Sequence, residues 1–336
     1  MAAVLSEKVQ LQLKAGEFTD KADATPVTIA DYGAQALVIW SLRRSLPDAT
    51  FSVVAEEDAG DLREPGGEEM AARITELVNA VLSVEAGAPA LSSEEVLDLI
   101  DLGDSAGGSQ GRHWVLDPID GTRGFVGMRQ YAVCLALLDA GQVVVGVLGC
   151  PNLPMEPITD ADAAAGAAER VGQAGVGALF SATLGGGAFV GPLKEGGQPL
   201  QRLALEDSAD FGEARFMESY ESKQSDHSFA GRLAAVVGVT RPPLRVDSAA
   251  KYGALARGDA AMNLRFPHAG YRDKIWDHAA GALIAAEAGA VISDVGGKPL
   301  DFGNGRWLDM DRGIVTAPPA LHAALLAAIQ DLAPAS

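Results

Sequence analysis

Two aspartates, Asp117 and Asp120, stand three positions apart in the stretch WVLDPIDGTRGF, residues 114–125. The apolar run before them predicts a strand, so both carboxylates would lie where that strand ends. Pro118 fixes the backbone between them, and the turn could direct both side chains and the carbonyl of Ile119 into one small volume. Mg²⁺ prefers such oxygen ligands. The Asp-Pro and Asp-Gly pairs are equally typical of a structural turn, so the motif alone leaves both interpretations open.

The two residues after this motif add to the chemical interpretation. Gly121 would let the backbone pass close to a ligand. Thr122 would present a hydroxyl where a helix could begin, and the free N–H groups at such a position favour a phosphate. We therefore expect both residues at the same site as the aspartates.

Other acidic residues lie at comparable places in predicted elements. Asp31 is near the start of a predicted helix, Glu56 and Glu57 end a predicted strand, and Asp277 is in the first turn of a predicted helix. Each has a structural explanation, namely helix capping, a solvated strand end or a favourable charge beside a helix dipole. Their joint occurrence favours a site for two divalent cations, of which one activates water and the other stabilises a leaving oxygen during phosphoryl transfer.

Hydrophobic periodicity predicts the elements that must position these residues. Helices are predicted over residues 30–46, 68–82, 92–101, 226–238, 249–258, 276–290 and 319–332. Strands or hairpins are predicted over 51–58, 113–120, 131–150, 177–190, 245–247 and 260–266, with strand and turn segments over 290–294, 296–302 and 313–317. Helices and strands are mixed without strict βαβ alternation, and no GxGxxG motif is present, so a layered α/β fold is expected rather than a dinucleotide-binding domain.

The composition at residues 151–170 shifts to prolines and small residues, which predicts a linker. We therefore expect a domain boundary near residue 150, with one domain over 1–150 and a second over 151–336.

The charge balance limits the partners of the protein. With 26 basic and 45 acidic residues, the net charge is −19, which disfavours nucleic-acid polymers and anionic membranes. A small anionic substrate remains compatible if cations lie locally in the site. There is neither an apolar run of about 20 residues nor a secretory signal pattern, and the two cysteines, Cys134 and Cys150, suit a reducing compartment. A soluble intracellular protein is expected.

Three stretches, VAEED, WVLDPIDGTRGF and KIWDHAAGALIAAEAGA, resemble the signature of the magnesium-dependent, lithium-sensitive phosphatases of the inositol monophosphatase superfamily. Within it, four stretches are similar to the 3′(2′),5′-bisphosphate nucleotidases, particularly those of plants and algae: TPVTIADYGAQALV, SVVAEEDAGDLR, VDSAAKYGALARGDAAMNLRFPHAGYRDKIWDH and GGKPLDFGNGRWLD. The resemblance covers residues 20 to 330, approximately.

The resemblance implies a layered α-β-α-β-α sandwich that removes the 3′-phosphate of 3′-phosphoadenosine 5′-phosphate, giving AMP and phosphate, and that also acts on 3′-phosphoadenosine 5′-phosphosulfate. It implies two or three Mg²⁺ ions, with Li⁺ and Ca²⁺ inhibitory. The implied metal ligands are Glu56, Asp117, the carbonyl of Ile119, Asp120 and Asp277, with Glu57 adjacent. Asp31 and Thr122 would hold and polarise the attacking water, without a covalent intermediate.

For the nucleotide, the resemblance points to Ser248, Lys251 and Arg265, with Thr122 and Asp277 also in contact and Asp247 nearby. Lys251 and Arg265 suit phosphate binding because they are cations in an acidic chain, although each could instead form a surface salt bridge. The first domain would then carry most of the metal ligands. The second would carry the nucleotide-binding residues and the last metal ligand.

Two departures from the family pattern concern recognition and redox control. Relatives have a histidine where this chain has Gln224, in the segment that begins at Glu221; glutamine can donate a hydrogen bond but cannot be cationic, and His227 is a candidate substitute. Plant relatives have a cysteine where this chain has Ala178, which rules out a disulfide from Cys150 to that position.

Two alternatives to the nucleotidase activity remain open at this point. An inositol polyphosphate 1-phosphatase or inositol monophosphatase would have the same site, but the VDSAAKYG and NLRFP segments favour the nucleotide. A non-catalytic sensor of the nucleotide would need a broken metal site, whereas all the expected acids are present. A monomer is expected, and the resemblance suggests the chloroplast or the mitochondrion.

Overall fold

The computed structural model describes residues 1–12, 18–20, 26–47, 52–159, 177–194, 198–220, 227–268, 270–310 and 312–332 of the 336-residue chain. At 18–20, 26–28 and 227 it describes the backbone alone. The described helices are α1 (Ala2–Gln12), α2 (Ile29–Ser45), α3 (Gly60–Arg63), α4 (Glu68–Leu82), α5 (Ser93–Asp101), α6 (Thr122–Val126), α7 (His227–Val237), α8 (Ala250–Arg257), α9 (Ala279–Glu287) and α10 (Pro319–Leu332).

The described strands form two large sheets and two short ladders. They are β1 (Phe18–Asp20), β2 (Pro26–Thr28), β3 (Val53–Ala55), β4 (Arg112–Asp120), β5 (Ala132–Asp139), β6 (Gln142–Cys150), β7 (Ala178–Thr183), β8 (Gly187–Pro192), β9 (Gln201–Leu203), β10 (Phe216–Glu218), β11 (Leu244–Arg245), β12 (Met262–Arg265), β13 (Asp273–Lys274), β14 (Val291–Asp294), β15 (Trp307–Leu308) and β16 (Ile314–Ala317).

The larger sheet has seven strands in the order β3-β4-β5-β6-β7-β8-β9. Only β3 and β4 pair in parallel within it; the other neighbours are antiparallel. The smaller sheet has five strands in the order β11-β10-β12-β16-β14, in which β10 pairs in parallel with both β11 and β12. Because β3 and β4 run in the same direction, their carboxyl ends meet at one edge of the large sheet, and that edge carries the acidic residues.

Helices and sheets alternate in five layers. Helices α1, α2, α4 and α5 share one apolar core with β3 and β4. Helices α8 and α9 lie between the two sheets and pack on strands of both. Helices α7 and α10 cover the outer face of the five-stranded sheet. This arrangement is the predicted layered α-β-α-β-α sandwich, so the predicted fold class is confirmed.

Strand β5 shows how the sequence builds these layers. Its residues alternate between fully and partly buried, as expected for a strand with period two. Cys134 and Leu138 face the core around α8 and α9, whereas Val133 and Leu135 pack on the core of the opposite helix layer. Both faces are apolar because helices cover both sides of the sheet. No described helix has the length and apolarity required to cross a membrane.

Most predicted elements agree with the structure to within about two residues. The prediction of a strand over 51–58 is wrong in its extent, because pairing ends at Ala55 and a turn follows. The placement of Asp277 in the first turn of a helix over 276–290 is also wrong: α9 begins at Ala279, and Asp277 lies in the turn before it. The domain boundary near residue 150 stays a prediction; β6, which ends there, pairs with β7 in the same sheet.

Candidate active site

A cavity of about 710 Å³ opens where β3 and β4 end and where the segments before α6, α8 and α9 meet. Most of the site residues expected from the sequence line this cavity: Glu56, Glu57, Asp117, Ile119, Asp120, Gly121, Thr122, Ser248, Lys251, Arg265 and Asp277. These residues span more than 200 positions of the chain, so it is the packing of the layers that brings them together.

Three carboxylates converge inside the cavity. One oxygen from each of Asp117, Asp120 and Asp277 lies within 4.8 Å of the others. The pairing of β4 with β5 shifts register between Asp117 and Asp120, and the Asp117 carboxylate accepts a hydrogen bond of 3.1 Å from the backbone N–H of Ile119. A bulge of this kind changes the direction of side chains, which explains why both aspartates reach the same volume.

The electrostatics of this cluster are unfavourable without a cation. Burial raises the pKa of Asp117 well above its usual range, and the charges of Glu56, Asp120 and Asp277 raise it further. Burial and the charge of Asp120 likewise raise the pKa of Asp277. Buried carboxylates that repel one another are costly unless something positive lies between them. The donor set, all hard oxygen ligands, therefore fits a divalent cation such as Mg²⁺.

A second acidic group beside this cluster is paired with Arg265. Asp273 is fully buried, and its carboxylate accepts hydrogen bonds from Arg265 at 2.5 Å and from His278 at 3.1 Å. Burial alone would raise the pKa of Asp273, but the hydrogen bond from His278 and the charge of Arg265 lower it to about 2. The hydroxyl of Tyr252 is hydrogen-bonded to the other ring nitrogen of His278 at 2.9 Å. Asp273 thus holds Arg265 at the cavity and is already balanced in charge.

Asp31 lies on α2 and is not among the described residues that line the cavity. It is buried, and its charge is among those that raise the pKa of Asp117. Tyr32, the residue after Asp31, lines the cavity. The hydroxyl of Thr122 donates a hydrogen bond of 3.3 Å to the carbonyl of Ile119. The joint action of Asp31 and Thr122 on water stays a prediction.

Gly121 brings the start of α6 against the start of α8. It has a φ of 85°, and a Cβ at this position would lie 2.8 Å from the Cβ of Ser248. Ser248 also has a positive φ, 69°, and its hydroxyl accepts a hydrogen bond of 3.2 Å from Ala250. The Asp120 carboxylate accepts a hydrogen bond from the N–H of Ala249. This close approach requires glycine at position 121.

Lys251 supplies positive charge to the cavity from α8. Its ammonium group donates a hydrogen bond of 3.3 Å to the hydroxyl of Ser219. Burial lowers the pKa of Lys251, and the charges of Asp120 and Asp247 oppose this effect. The Asp247 carboxylate binds Arg129 at 2.9 Å and the backbone N–H of Tyr220 at 3.1 Å. Lys251 and Arg265 both line the cavity that holds the three carboxylates. Either side chain can contact an anionic ligand there.

A model of the inositol monophosphatase family matches residues 1–333. The chain belongs to the inositol monophosphatase family. A 3′(2′),5′-bisphosphate nucleotidase of Oryza sativa is 49% identical over 334 residues, which cover 98% of this chain and 91% of the relative. The 3′(2′),5′-bisphosphate nucleotidase 1 of Arabidopsis thaliana is 47% identical, with 98% and 93% covered. Among solved structures, an inositol monophosphatase of Thermotoga maritima shares the fold, with a TM-score of 0.59, 18% identity, and 98% and 92% covered.

Some residues expected at the site of this inositol monophosphatase family member are not placed. Glu221 and Gln224 lie outside the described residues, and His227 begins α7 with its side chain also outside them. Their roles in nucleotide recognition stay predictions. Cys134 and Cys150 are buried thiols, and burial raises the pKa of Cys150 to about 12. Cys150 pairs with Ala178 in the β6–β7 ladder, so the residue facing it there has no sulfur.

Three residues around the family site have no direct signal in the sequence. Gln35 is a buried amide on α2, one turn after Asp31. Asp273 and Arg306 fall inside stretches that carry the family resemblance, but there was no motif that assigned them a contact. Of these three residues, only Gln35 has a local indication in the sequence. It is a polar residue among apolar ones in a predicted helix, and a polar side chain that is buried there needs a hydrogen-bond partner.

Proposed function

We propose that this protein is a magnesium-dependent phosphatase that removes the 3′-phosphate of 3′-phosphoadenosine 5′-phosphate, giving AMP and phosphate. One observation carries the proposal: the buried carboxylate of Asp117 and the half-buried carboxylates of Asp120 and Asp277 converge within 4.8 Å. The cavity that holds them is also lined by Lys251 and Arg265. Carboxylates suit the divalent ions, and the two cations suit a substrate that carries two phosphates.

Glu56, Asp117, Asp120, Asp277 and the carbonyl of Ile119 would hold Mg²⁺, two or three ions in total. When bound, Mg²⁺ supplies positive charge that stabilises the phosphoryl oxygens and lowers the pKa of nearby water.

The remaining roles belong to the chain itself. Asp31 and Thr122 would hold and polarise the attacking water, so that hydrolysis proceeds directly and without a covalent intermediate. Thr122 is close to the carbonyl of Ile119, which places its hydroxyl at the edge of the acidic cluster. Arg265 is fixed by Asp273 and can donate to a phosphate from a set orientation, which reduces the entropy lost on binding.

The relatives favour a nucleotide over an inositol phosphate as substrate. Several at 42–49% identity are named 3′(2′),5′-bisphosphate nucleotidases. We extend the proposal to 3′-phosphoadenosine 5′-phosphosulfate, whose sulfated end would occupy the same cationic part of the cavity. Ser248 and Thr122 line the same cavity as the carboxylates and Lys251, and they would contact the sugar or its phosphate.

Phosphate release from four substrates tests this proposal. The panel is 3′-phosphoadenosine 5′-phosphate, 5′-AMP, inositol 1-phosphate and inositol 1,4-bisphosphate, each with and without Mg²⁺ and Li⁺. Release from the first substrate, dependent on Mg²⁺ and reduced by Li⁺, is expected. Tight binding without any release would instead indicate a nucleotide sensor. Preferential release from inositol 1,4-bisphosphate would support the inositol polyphosphate 1-phosphatase alternative.

Asp120→Asn tests the metal assignment. Turnover should be abolished, because the substitution removes one negative charge from the carboxylates that would hold the divalent cations. Asp139→Asn is the matched control, since Asp139 ends β5 and its carboxylate pairs at 2.9 Å with the exposed Arg112. Near-normal turnover by Asp120→Asn would contradict the proposed role of this motif.

We also propose that the protein acts as a monomer and works in the chloroplast or the mitochondrion. The support for the compartment is the similarity to plant nucleotidases. Sedimentation velocity and localisation of the full-length protein fused to a fluorescent protein test these two points.

A further inference from the structure

Arg306 connects a late segment of the chain to the end of β3. It directly precedes β15, and its guanidinium donates hydrogen bonds to three backbone carbonyls. Nη1 donates to Gly103 at 3.1 Å and to Ser105 at 3.0 Å, and Nη2 donates to Ala55 at 2.5 Å. Arg306 lines the candidate active-site cavity, but three of its hydrogen bonds go to backbone carbonyls, an arrangement that positions the segments it binds.

The three carbonyls belong to the segments that set the position of Glu56. Ala55 is the last residue of β3 and directly precedes Glu56. The carbonyl of Gly103 also accepts a hydrogen bond of 2.9 Å from the N–H of Ala55, and Ser105 donates one of 3.1 Å to Val53. Arg306 therefore fixes the strand end and the loop beside it as one unit, immediately before the acidic residue.

Arg306 also contacts the segment that precedes Asp277. Its carbonyl accepts a hydrogen bond of 3.2 Å from the N–H of Ile275, and its guanidinium lies 4.8 Å from the ring centroid of Trp276. Ile275 and Trp276 are both buried, so this segment has little freedom to move independently. Arg306 thus joins two segments: its guanidinium binds the backbone before Glu56 and stacks on Trp276, and its backbone carbonyl binds Ile275. Glu56 and Asp277, which follow these segments, both line the cavity.

We propose that Arg306 is a positioning residue that sets the separation of Glu56 and Asp277 and thereby the affinity of the site for divalent cations. This inference rests on the metal site of the proposed function, but it does not depend on the identity of the substrate. Residues that orient metal ligands without touching the metal typically alter metal affinity by about 10- to 100-fold.

Two substitutions separate the contributions of Arg306. Arg306→Met keeps an apolar stem over Trp276 and removes every N–H donor. Arg306→Lys keeps the charge, but one ammonium group cannot reach three carbonyls in the planar geometry of a guanidinium. Arg272→Met is the control: Arg272 also stacks on a tryptophan, 4.7 Å from the ring centroid of Trp307, but it is exposed and pairs with the exposed Asp309.

The first measurement is Mn²⁺ binding to the full chain, by electron paramagnetic resonance and without substrate. The melting temperature of each metal-free variant is determined first, and binding is measured well below it. Arg306→Met and Arg306→Lys should each weaken Mn²⁺ binding about tenfold, whereas Arg272→Met should leave it unchanged. An unchanged Mn²⁺ affinity in a folded Arg306 variant would overturn the proposal; Arg306→Lys serves if Arg306→Met does not fold.

A double-mutant cycle with Glu56→Gln identifies the route of the effect. If Arg306 acts through Glu56, then Arg306→Met should weaken Mn²⁺ binding much less in the Glu56→Gln background than in the wild type. Fully additive effects would contradict that route.

Kinetics distinguish positioning from direct substrate binding. With saturating Mg²⁺, Arg306→Met should retain the wild-type KM for 3′-phosphoadenosine 5′-phosphate, while the Mg²⁺ concentration for half-maximal activity rises about tenfold. A raised KM with unchanged Mn²⁺ affinity would make Arg306 a substrate ligand and reject the proposal. A wild type that binds Mn²⁺ but hydrolyses no nucleotide would reject the proposed function alone.

Discussion

The side-chain amide of Gln35 is hydrogen-bonded to both backbone groups of Glu57. The Gln35 carbonyl oxygen accepts from the Glu57 N–H at 3.1 Å, and the Gln35 amide nitrogen donates to the Glu57 carbonyl at 2.7 Å. The same nitrogen donates to Ile100 at 2.8 Å, and Gln35 is fully buried. Helix α2, which carries Asp31, is thereby tied to the turn that carries Glu56.

Gln35→Leu should lower the free energy of unfolding by about 2–4 kcal/mol, because buried backbone groups lose their partners. It should also weaken the stabilisation of the protein by Mg²⁺, since the turn beside Glu56 is no longer held. Urea unfolding and the shift in melting temperature on adding Mg²⁺ measure the two effects.

Asn79→Leu is the control for that substitution. The Asn79 amide makes the same pair of hydrogen bonds with the backbone of Leu91, both at 2.8 Å, but on α4 and away from the cavity. It should lose stability and keep the full response to Mg²⁺. Equal responses to Mg²⁺ in both variants would contradict the role assigned to Gln35.

The sequence was informative about the strand end that carries Asp117 and Asp120. An apolar run followed by acids and a Gly-Thr pair predicted β4 and the turn after it. The use of both carboxylates at one site was predicted only together with the other acidic residues. Local rules sufficed here because strand propensity, the proline and the glycine all act within a few residues.

The contacts that hold this site together were beyond such rules. Arg306 and Ala55 are 251 positions apart, and Gln35 and Glu57 are 22 apart, so neither pair is visible to periodicity. Asp277 was assigned to a helix because the apolar pattern extends to Trp276. In the structure, Trp276 is buried beneath Arg306 in the turn before α9, and tertiary packing delays the start of the helix.

Asp117→Asn should stabilise the metal-free protein. The pKa of Asp117 is raised in the fold, so its contribution to stability is present below its unfolded pKa of about 3.8 and is lost as the pH rises through the folded value. Asparagine keeps the volume and the hydrogen bond to Ile119, and it removes the charge. In EDTA near pH 8 we expect a gain of about 1–3 kcal/mol, which shrinks as the pH is lowered towards 4.

Adding Mg²⁺ should reverse the order of stabilities for this pair. The wild type gains stability from a cation among its carboxylates, and Asp117→Asn gains little. Thermal unfolding at several pH values, with EDTA or with Mg²⁺, provides the measurement. A wild type that is the more stable of the two in EDTA near pH 8 would show that the carboxylates are compensated by the protein itself.

Asp273→Asn should impair binding of the nucleotide more than turnover. The substitution removes the charge that fixes Arg265, and breaking such a buried pair costs about 3–5 kcal/mol of stability. The pKa of Asp273 is about 2 in the folded protein, below the usual 3.8 of the unfolded chain. Its contribution to stability is therefore present above pH 3.8 and is lost as the pH falls through about 2. The variant should therefore lose less stability than the wild type between pH 4 and pH 2, approximately.

Asp259→Asn separates the loss of Arg265 orientation from general destabilisation. Asp259 forms a comparably buried pair with Arg257, at 2.5 Å, and neither residue lines the cavity as far as the structure describes it. Both variants should be less stable. Only Asp273→Asn should raise KM, by about tenfold, the equivalent of one charge-assisted hydrogen bond.

Gly121→Ala should damage the site, whereas Gly258→Ala should affect stability alone. Both glycines have left-handed backbones, with φ of 85° and 90°, so each alanine should cost about 1–2 kcal/mol from backbone strain. A Cβ at Gly258 has no heavy atom within 4 Å, but a Cβ at Gly121 would lie 2.8 Å from the Cβ of Ser248. Ser248 must then move, and with it Ala249, whose N–H donates to the carboxylate of Asp120.

We expect kcat to fall at least tenfold in Gly121→Ala and to be unchanged in Gly258→Ala, with urea unfolding as the stability measurement. If the two variants lost equal stability and both kept the wild-type kcat, the close contact between Gly121 and Ser248 would not position Asp120.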